Sequence, residues 1–453
     1  MALVALVFCL AFIIFGLRQE SREKGKFPGA LWVPFIWIIV SASRPISSWL
    51  NPSRALIASS LQDYIQGNPT ERLFLIMLIS LGVYVLIRRR GYYSLPIGPN
   101  IWLFALYFLA LMSIGWADYQ GVSFRRWIRA AGDIIMVLVI LTEDDHEEAL
   151  ERVLRRCAII LIPLSVVLIR WFRMFGVLYN VRGASSWAGV STGKNELGLL
   201  CAFLGVFLVW RFIKTWPRLS LWEVLEFLMI LYLLHGAKSS TSYVVLFGGT
   251  ILLFVLSRVV RNWRMFNILI VSSIVLILVM QWISIGIFGE SMTPLFFSAT
   301  GRDATFTGRT LLWQELISIG GRNTVAGVGY GNFWIINMTH FWNKFVWGPT
   351  NAHNGYLDVF LELGLIGLTV LLLLIAKTYS KILHDLGGGR PFGKLQIVFF
   401  IMILAHNVTE THIMRPTNFL WILFLLMAMK ISQKAPTPNI MNDQGPEAPT
   451  FRQ

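Results

Sequence analysis

Residues 351–364 read NAHNGYLDVFLELG, placing His353 and Asn354 at the mouth of an apolar helical run. Asp358 and Glu362 follow at i, i+4 spacing and so share one face of that helix. Just upstream lie a basic helical segment at 308–319, GRTLLWQELISI, and a glycine-rich turn at 327–333, GVGYGNF. Together they form one polar block between hydrophobic spans, and chemistry in this chain is expected there.

The rest of the chain is membrane-like. Its 453 residues are 56% hydrophobic and 14% charged, too apolar for a soluble enzyme, and the apolar residues come in runs near the length of a bilayer helix. The expected fold is all-α and polytopic, with about 12–13 transmembrane helices. Spans are predicted near 2–17, 29–43, 73–87, 100–116, 131–142, 157–171, 196–213, 220–235, 242–258, 265–287, 356–376, 396–411 and 418–431. The first run lacks a basic start and an obvious cleavage site, so it is read as a retained helix. One helical domain is expected over 1–434, with a disordered tail from 435 rich in Pro, Asn and Gln. No internal repeat is visible. The three cysteines, Cys9, Cys157 and Cys201, fall within predicted spans and describe neither a disulfide framework nor a metal site.

Orientation follows from the basic loops at 18–26, 88–90, 214–218, 258–264 and 377–394, which alternate with less basic connections and are assigned to the cytoplasm. The segment 143–156, acids first and arginines last, goes to the same side as a solvated helix whose charges complement its dipole. The long segment 288–355 then falls outside, too long for an ordinary connection and so expected to be functional.

The formal charge of +15 partly reflects that bias, yet basic residues also fall in loops placed outside: Arg125, Arg126, Arg129, Arg173, Arg182, Lys194, Arg302, Arg309, Arg322 and Lys344. An anionic ligand at the outer face accounts for them, because guanidinium groups bind phosphate in bidentate fashion. Lipid headgroups or local carboxylates are the plainer explanation for any single one. Nucleic acid does not fit outward-facing loops.

Within the polar block, an imidazole such as His353 is suited to take a proton from a hydroxyl near neutral pH. A lone interfacial histidine also serves structure, and Asp358 and Glu362 also suit pairing with neighbouring helices, since a carboxylate in a span must face protein or water. Arg309 opens a short stretch with Leu312, Trp313 and Leu316 on one face, ended by Gly320 and Gly321, the pattern of an amphipathic helix lying on the membrane. Most of the aromatics Phe333, Trp334, Phe341, Trp342, Phe345 and Trp347 read as an interfacial belt. GVGYGNF, with Tyr330, allows close backbone approach but lacks the Gly-Lys-Ser/Thr of a phosphate loop. No metal-ligand spacing is present, and His406 and His412 read as packing or interfacial histidines.

The order of GRTLLW, GVGYGNF and NAHNGYLDVFLELGLIG resembles the O-antigen ligase and polymerase superfamily of membrane glycosyltransferases, including WaaL-type ligases, Wzy-type polymerases and ExoQ-like exopolysaccharide proteins. His353 and Gly364 reproduce its H-x10-G spacing. Arg309 fits its outer-loop arginine, although Trp313 stands where R-x3-L expects leucine. SSWAGVSTGKNELG at 185–198, with Lys194 and Asn195, and HGAKSSTS at 235–242 extend the likeness. The resemblance implies a GT-C-like enzyme of the bacterial inner membrane with its site facing the periplasm. It implies transfer of a glycan from an undecaprenyl-pyrophosphate carrier to a sugar acceptor, a growing glycan or lipid A core, with inversion and with no metal or other cofactor. His353 is then expected as base and Arg309 at the diphosphate. Arg125, Arg126, Arg129, Arg182, Lys194, Asn195, Asn354, Tyr330 and Glu362 are expected to bind substrate, with other polysaccharide assembly proteins as possible partners. Lys194-Asn195 and the Arg125–Arg129 cluster lean towards an ExoQ-like polymerase; ligation shares the same motifs. A polysaccharide transporter or flippase, or a structural envelope subunit, is the rival from another class.

Overall fold

The computed structural model describes residues 1–50, 67–179, 185–258, 265, 309–345, 347–387 and 391–433. In chain order its principal helices are α1 (Ala2–Lys24), α2 (Trp32–Ala42), α3 (Pro69–Arg89), α4 (Ile97–Met112), α5 (Gln120–Leu141), α6 (His146–Trp171) and α7 (Lys194–Thr215). They continue with α8 (Leu221–Ala237), α9 (Ser240–Arg258), α10 (Arg309–Gly320), α11 (Phe333–Lys344), α12 (Gly355–Gly387), α13 (Pro391–His406) and α14 (Phe419–Ala428). The strands among the described residues pair as two short antiparallel ladders, Tyr93–Ser94 with Ser432–Gln433 and Val177–Tyr179 with Ser185–Trp187. Each predicted span within the described residues overlaps a helix, whereas 266–287 and the tail from 434 lie outside them. Among the described residues, six helices are long and apolar enough to cross a bilayer: Ala2–Lys24, Pro69–Arg89, Ile97–Trp116, Lys194–Thr215, Ser240–Arg258 and Gly355–Leu386. The chain is a multi-pass, all-α membrane protein.

Helix α7 lies at the centre, packed by α8, α9 and α13. Small residues let these helices approach closely where lipid-like surfaces offer no hydrophobic drive. Gly198 faces Ser242, Gly205 faces Leu246 and Ile230, and Gly249 faces Met402. Helix α1 instead exposes Leu3, Val7, Phe8 and Ile14, an outward face suited to lipid.

The segment 143–156 departs from the solvated helix expected of it. Asp145 caps α6, accepting from the Glu148 amide at 2.9 Å, and the first-turn acids sit as the dipole favours. The arginines, however, are buried. Arg152 and Arg156 clasp Glu20 of α1 at 2.6 and 2.7 Å. Arg155 pairs with Glu226 and Glu223 of α8, and Arg211 of α7 with Glu151 and Glu223. A helical hydropathy average misses this, because charge that is unfavourable alone becomes tolerable once partners arrive from other helices. Three of the basic segments assigned to one side by their charge meet acids of this region, with Lys24 on Glu148, Arg89 on Glu143 and Lys214 on Glu151.

Three local expectations are also corrected. Helix α12 is broken at Gly364, whose backbone is non-helical (φ 66°, ψ −164°), so the span predicted at 356–376 carries a kink. Helix α13 ends at His406, leaving 407–411, expected inside a span, in a loop. Helix α10 forms where predicted, but its apolar face lies on protein: Leu312 and Leu316 are fully buried with Phe333, Trp334, Phe341 and Leu361. Several aromatics assigned to a belt are therefore the core of a small lobe, because a helix too short to span gains more by packing on neighbours than by floating at an interface. Trp347, 45% exposed, keeps an interfacial character.

Candidate functional site

The break at Gly364 builds the floor of the site. The segment 324–329 crosses the broken helix and takes up the backbone groups that the break frees. Val328 and Gly329 donate to the carbonyls of Leu361 and Glu362 (3.2 and 2.9 Å), while Leu365 and Ile366 donate to Thr324 and Val325 (2.8 and 3.2 Å). Two backbones this close leave no room for side chains at the crossing. Gly327 (φ 68°) and Gly364 stand there, and a Cβ on either would overlap the other segment's backbone. That explains both the glycine of the turn and the glycine that closes the H-x10-G spacing.

His353 sits just before α12 in a left-handed conformation (φ 48°), unusual for a side chain of its size. The strain is held locally: Asn351 Oδ1 accepts the His353 amide at 2.9 Å, and Trp313 Nε1 donates to the Ala352 carbonyl at 2.8 Å, tying the turn to α10. Asn354 caps α12, its Oδ1 accepting from Tyr356 and Leu357 at 3.1 Å, so its side chain is committed to the helix end.

His353 and Arg309 meet on a third residue, Glu410, in the loop after α13. His353 Nδ1 lies 2.7 Å from Glu410 Oε2, and Arg309 Nη2 donates to Oε1 at 2.7 Å while its Nη1 donates to the Thr409 carbonyl. Asn195, in the first turn of α7, donates to the same Oε1 at 2.7 Å; Lys194 stands exposed beside it. Glu410 is 7% exposed. Burial alone opposes its charge, but the hydrogen bond with His353 and the fields of His353, Arg309 and His406 outweigh it and hold the carboxyl at about 2. Asn195 and Arg211 are on the same helix, about 24 Å apart along its axis, so this cluster and the buried ion network occupy opposite ends of the bundle.

Past Glu410 the chain runs on into the lining of a cavity of about 220 Å³, formed by Arg126, Arg129, Arg415, Glu362, Tyr330 and Gly331 with Met414 and Pro416. Glu362 Oε2 accepts the Gly331 amide at 2.9 Å, and Arg126 donates to the Gly331 carbonyl. Tyr330 donates to the Met414 carbonyl at 2.7 Å, and burial keeps its phenol neutral by pushing its pKa well up. Arg415 pairs with Asp358 at 3.0 Å, which also accepts from Trp334 Nε1 at 2.7 Å. Asp358 thus anchors neighbouring elements. Arg125 follows on α5 without lining the cavity, and Arg182, Arg302 and the side chain of Arg322 lie outside what the structure describes.

Sequence reading missed Glu410 and Arg415. A signal existed: a carboxylate near the end of a predicted span marks either a span boundary or a site. His406 and His412 are buried and bonded to each other at 3.1 Å, as packing residues would be.

The family described as O-antigen ligase matches residues 224–372, a stretch holding Arg309, Tyr330, His353 and Gly364. The exopolysaccharide production protein ExoQ of Rhizobium meliloti (strain 1021) is 25% identical over 295 residues, covering 62% of this chain and 64% of that protein. Both likenesses point to the O-antigen ligase and polymerase superfamily. Asn195, Glu410 and Arg415 fall outside the segment matched to the O-antigen ligase family, yet complete the geometry around its histidine and arginine. The relative is matched along less than two thirds of its length, so its activity is not carried over with the name.

Proposed function

We propose that this protein is a glycosyltransferase that moves a glycan from an undecaprenyl-pyrophosphate carrier to a sugar hydroxyl at the periplasmic face, acting as an ExoQ-like or Wzy-like polymerase. One observation carries the reading: His353 and Arg309, from separate segments, converge on Glu410, and the chain that carries Glu410 runs on into the lining of a cavity with three arginines. The acceptor O–H attacks the anomeric carbon from the side opposite the carrier, and its proton passes to His353 Nε2. The bond from that carbon to the phosphate oxygen breaks with its electron pair, so the carrier leaves as the diphosphate. Arg126, Arg129 and Arg415 meet the charge that develops there, where fixed cationic donors in a sheltered site act most strongly. Inversion follows from a single displacement.

Ligation of a finished chain to lipid A core is the second reading, favoured by the family description; the likeness to ExoQ favours polymerisation. A transporter would carry its charges along a central path rather than gather them at a helix mouth.

Purified protein in detergent, given labelled lipid-linked repeat units, is expected to lengthen glycan chains. Turnover only with lipid A core selects ligation, and binding without turnover overturns the enzyme. The same preparation is expected to keep its activity in EDTA, since guanidinium groups neutralise the leaving group in this reading. Loss on chelation with recovery on magnesium add-back would refute the metal-free form.

A further inference from the structure

We propose that Glu410 is the positioning residue of the transfer chemistry: it holds the His353 ring through Nδ1, so that Nε2 is the basic nitrogen, and it holds Arg309 in place beside that ring. This inference rests on the glycan-transfer reading above.

The loop carrying Glu410 is bolted to the His353 segment before either side chain is considered. Asn407 is the bolt. Its carbonyl accepts the Gly355 amide at 2.8 Å, and its side-chain oxygen accepts the amides of His412 and Ile413 at 2.9 and 3.0 Å. Thr411 Oγ1 accepts the Asn354 amide at 3.1 Å. The Glu410 amide itself donates to the His406 carbonyl at 2.9 Å, continuing the end of α13. A carboxylate mounted on so rigid a turn meets its partners without reordering.

The tautomer then follows from hydrogen-bond inventory. Glu410 is held ionised, and an ionised carboxylate only accepts. The 2.7 Å contact to His353 therefore requires a proton on Nδ1, which leaves the lone pair of the neutral ring on Nε2. When Nε2 takes the acceptor's proton, the imidazolium faces a carboxylate and is stabilised. Arg309 is committed as well: one terminal nitrogen bonds the Thr409 carbonyl and the other bonds Glu410, so its fork is engaged by protein. Its action on the reaction passes through Glu410, and the diphosphate falls to the cavity arginines.

Among the described residues, the groups around this centre can be named. His353 is faced by Glu410, by Arg309 of α10 and by the ring of Trp347 at 5.5 Å. Glu410 is faced by Arg309, by His406 of α13, and by Asn195 and Glu196 of α7. Replacing Glu410 with a neutral group removes the only negative charge in direct contact with the His353 ring among the described residues and takes from Arg309 its carboxylate partner. Both changes disfavour the imidazolium, so they act in the same direction.

The test is Glu410→Gln, which keeps an oxygen to accept from Nδ1 while removing the charge. The expected result is a fall in kcat of roughly 10²-fold, the low end of what general-base catalysis contributes. The KM for donor should change little, and the acidic limb of the pH–rate profile should move to lower pH. Wild-type kcat, or a fall with the acidic limb unmoved, overturns the proposal and leaves Glu410 a brace. Carbethoxylation of His353 by diethylpyrocarbonate, followed against pH by mass spectrometry, needs no turnover and separates the two readings. If wild type shows no transfer, the proposed function fails; if the His353 reactivity profile is the same in Glu410→Gln and wild type, Glu410 does not position the ring whatever the reaction. Arg309→Lys supplies a second variant: a loss in kcat at unchanged donor KM supports action through Glu410, and a loss confined to donor KM assigns Arg309 to the diphosphate and overturns its place here.

Discussion

His353→Ala is expected to lower glycan transfer by roughly 10²- to 10⁴-fold, the range that a positioned base contributes, with near-normal expression and membrane insertion. Among the described residues the ring makes one polar contact, to Glu410, and lies against Trp347, so its removal opens no cavity in the apolar core. Its left-handed backbone is held by Asn351 and Ala352 rather than by the imidazole, and alanine at that φ costs on the order of 1 kcal/mol, well short of unfolding a helical bundle. Transfer of labelled lipid-linked glycan by purified variant and wild type, at matched thermal unfolding, checks it. Wild-type turnover by the variant would sink the assignment of His353 as base.

Gly364→Ala should do the opposite, damaging the fold first and activity as a consequence. The position combines positive φ with extended ψ, a region open essentially to glycine alone, and costs roughly 1–3 kcal/mol for any other residue. To that is added the overlap of the new Cβ with the Val325 backbone, which cannot rotate away as a flexible side chain would. The crossing segment 324–329 must lift, and with it go the hydrogen bonds that seat Val328 and Gly329 on the broken helix and the lining of the arginine cavity. The control is Gly321→Ala, where an added Cβ meets nothing and stability should hold within about 0.5 kcal/mol. The two variants compared by thermal unfolding in detergent decide the matter. Equal stability would mean that the backbone crossing does not constrain the fold.

Much of the molecule was legible in one dimension. Runs of apolar residues located the helices because the cost of leaving a backbone unpaired in lipid is paid residue by residue, and any bilayer imposes the same rule. His353 and Arg309 stood out for a related reason: polar residues beside long apolar runs are conspicuous. The H-x10-G spacing was also visible, but as a pattern. Its cause, two glycines where backbones cross, appears only when 324–329 is laid against α12.

What tertiary structure alone decided is the set of partners. Glu410 and Arg415 lie in a run that hydropathy assigned partly to a span, and nothing local to either residue names His353, Arg309 or Asp358 as its counterpart. The same holds for Arg152, Arg155 and Arg156, which local pattern placed in water and which the fold buries against Glu20, Glu223 and Glu226. Likewise the apolar face of α10 belongs equally to a membrane surface or to a protein core until Phe333, Trp334 and Leu361 arrive beside it. Sequence by itself determined where the chain is apolar and which polar groups interrupt it, because transfer from water is a property of each residue and its near neighbours. The tertiary structure determined which charges neutralise one another and where the site closes, because a buried charge is stable only through a partner that the chain brings from far away.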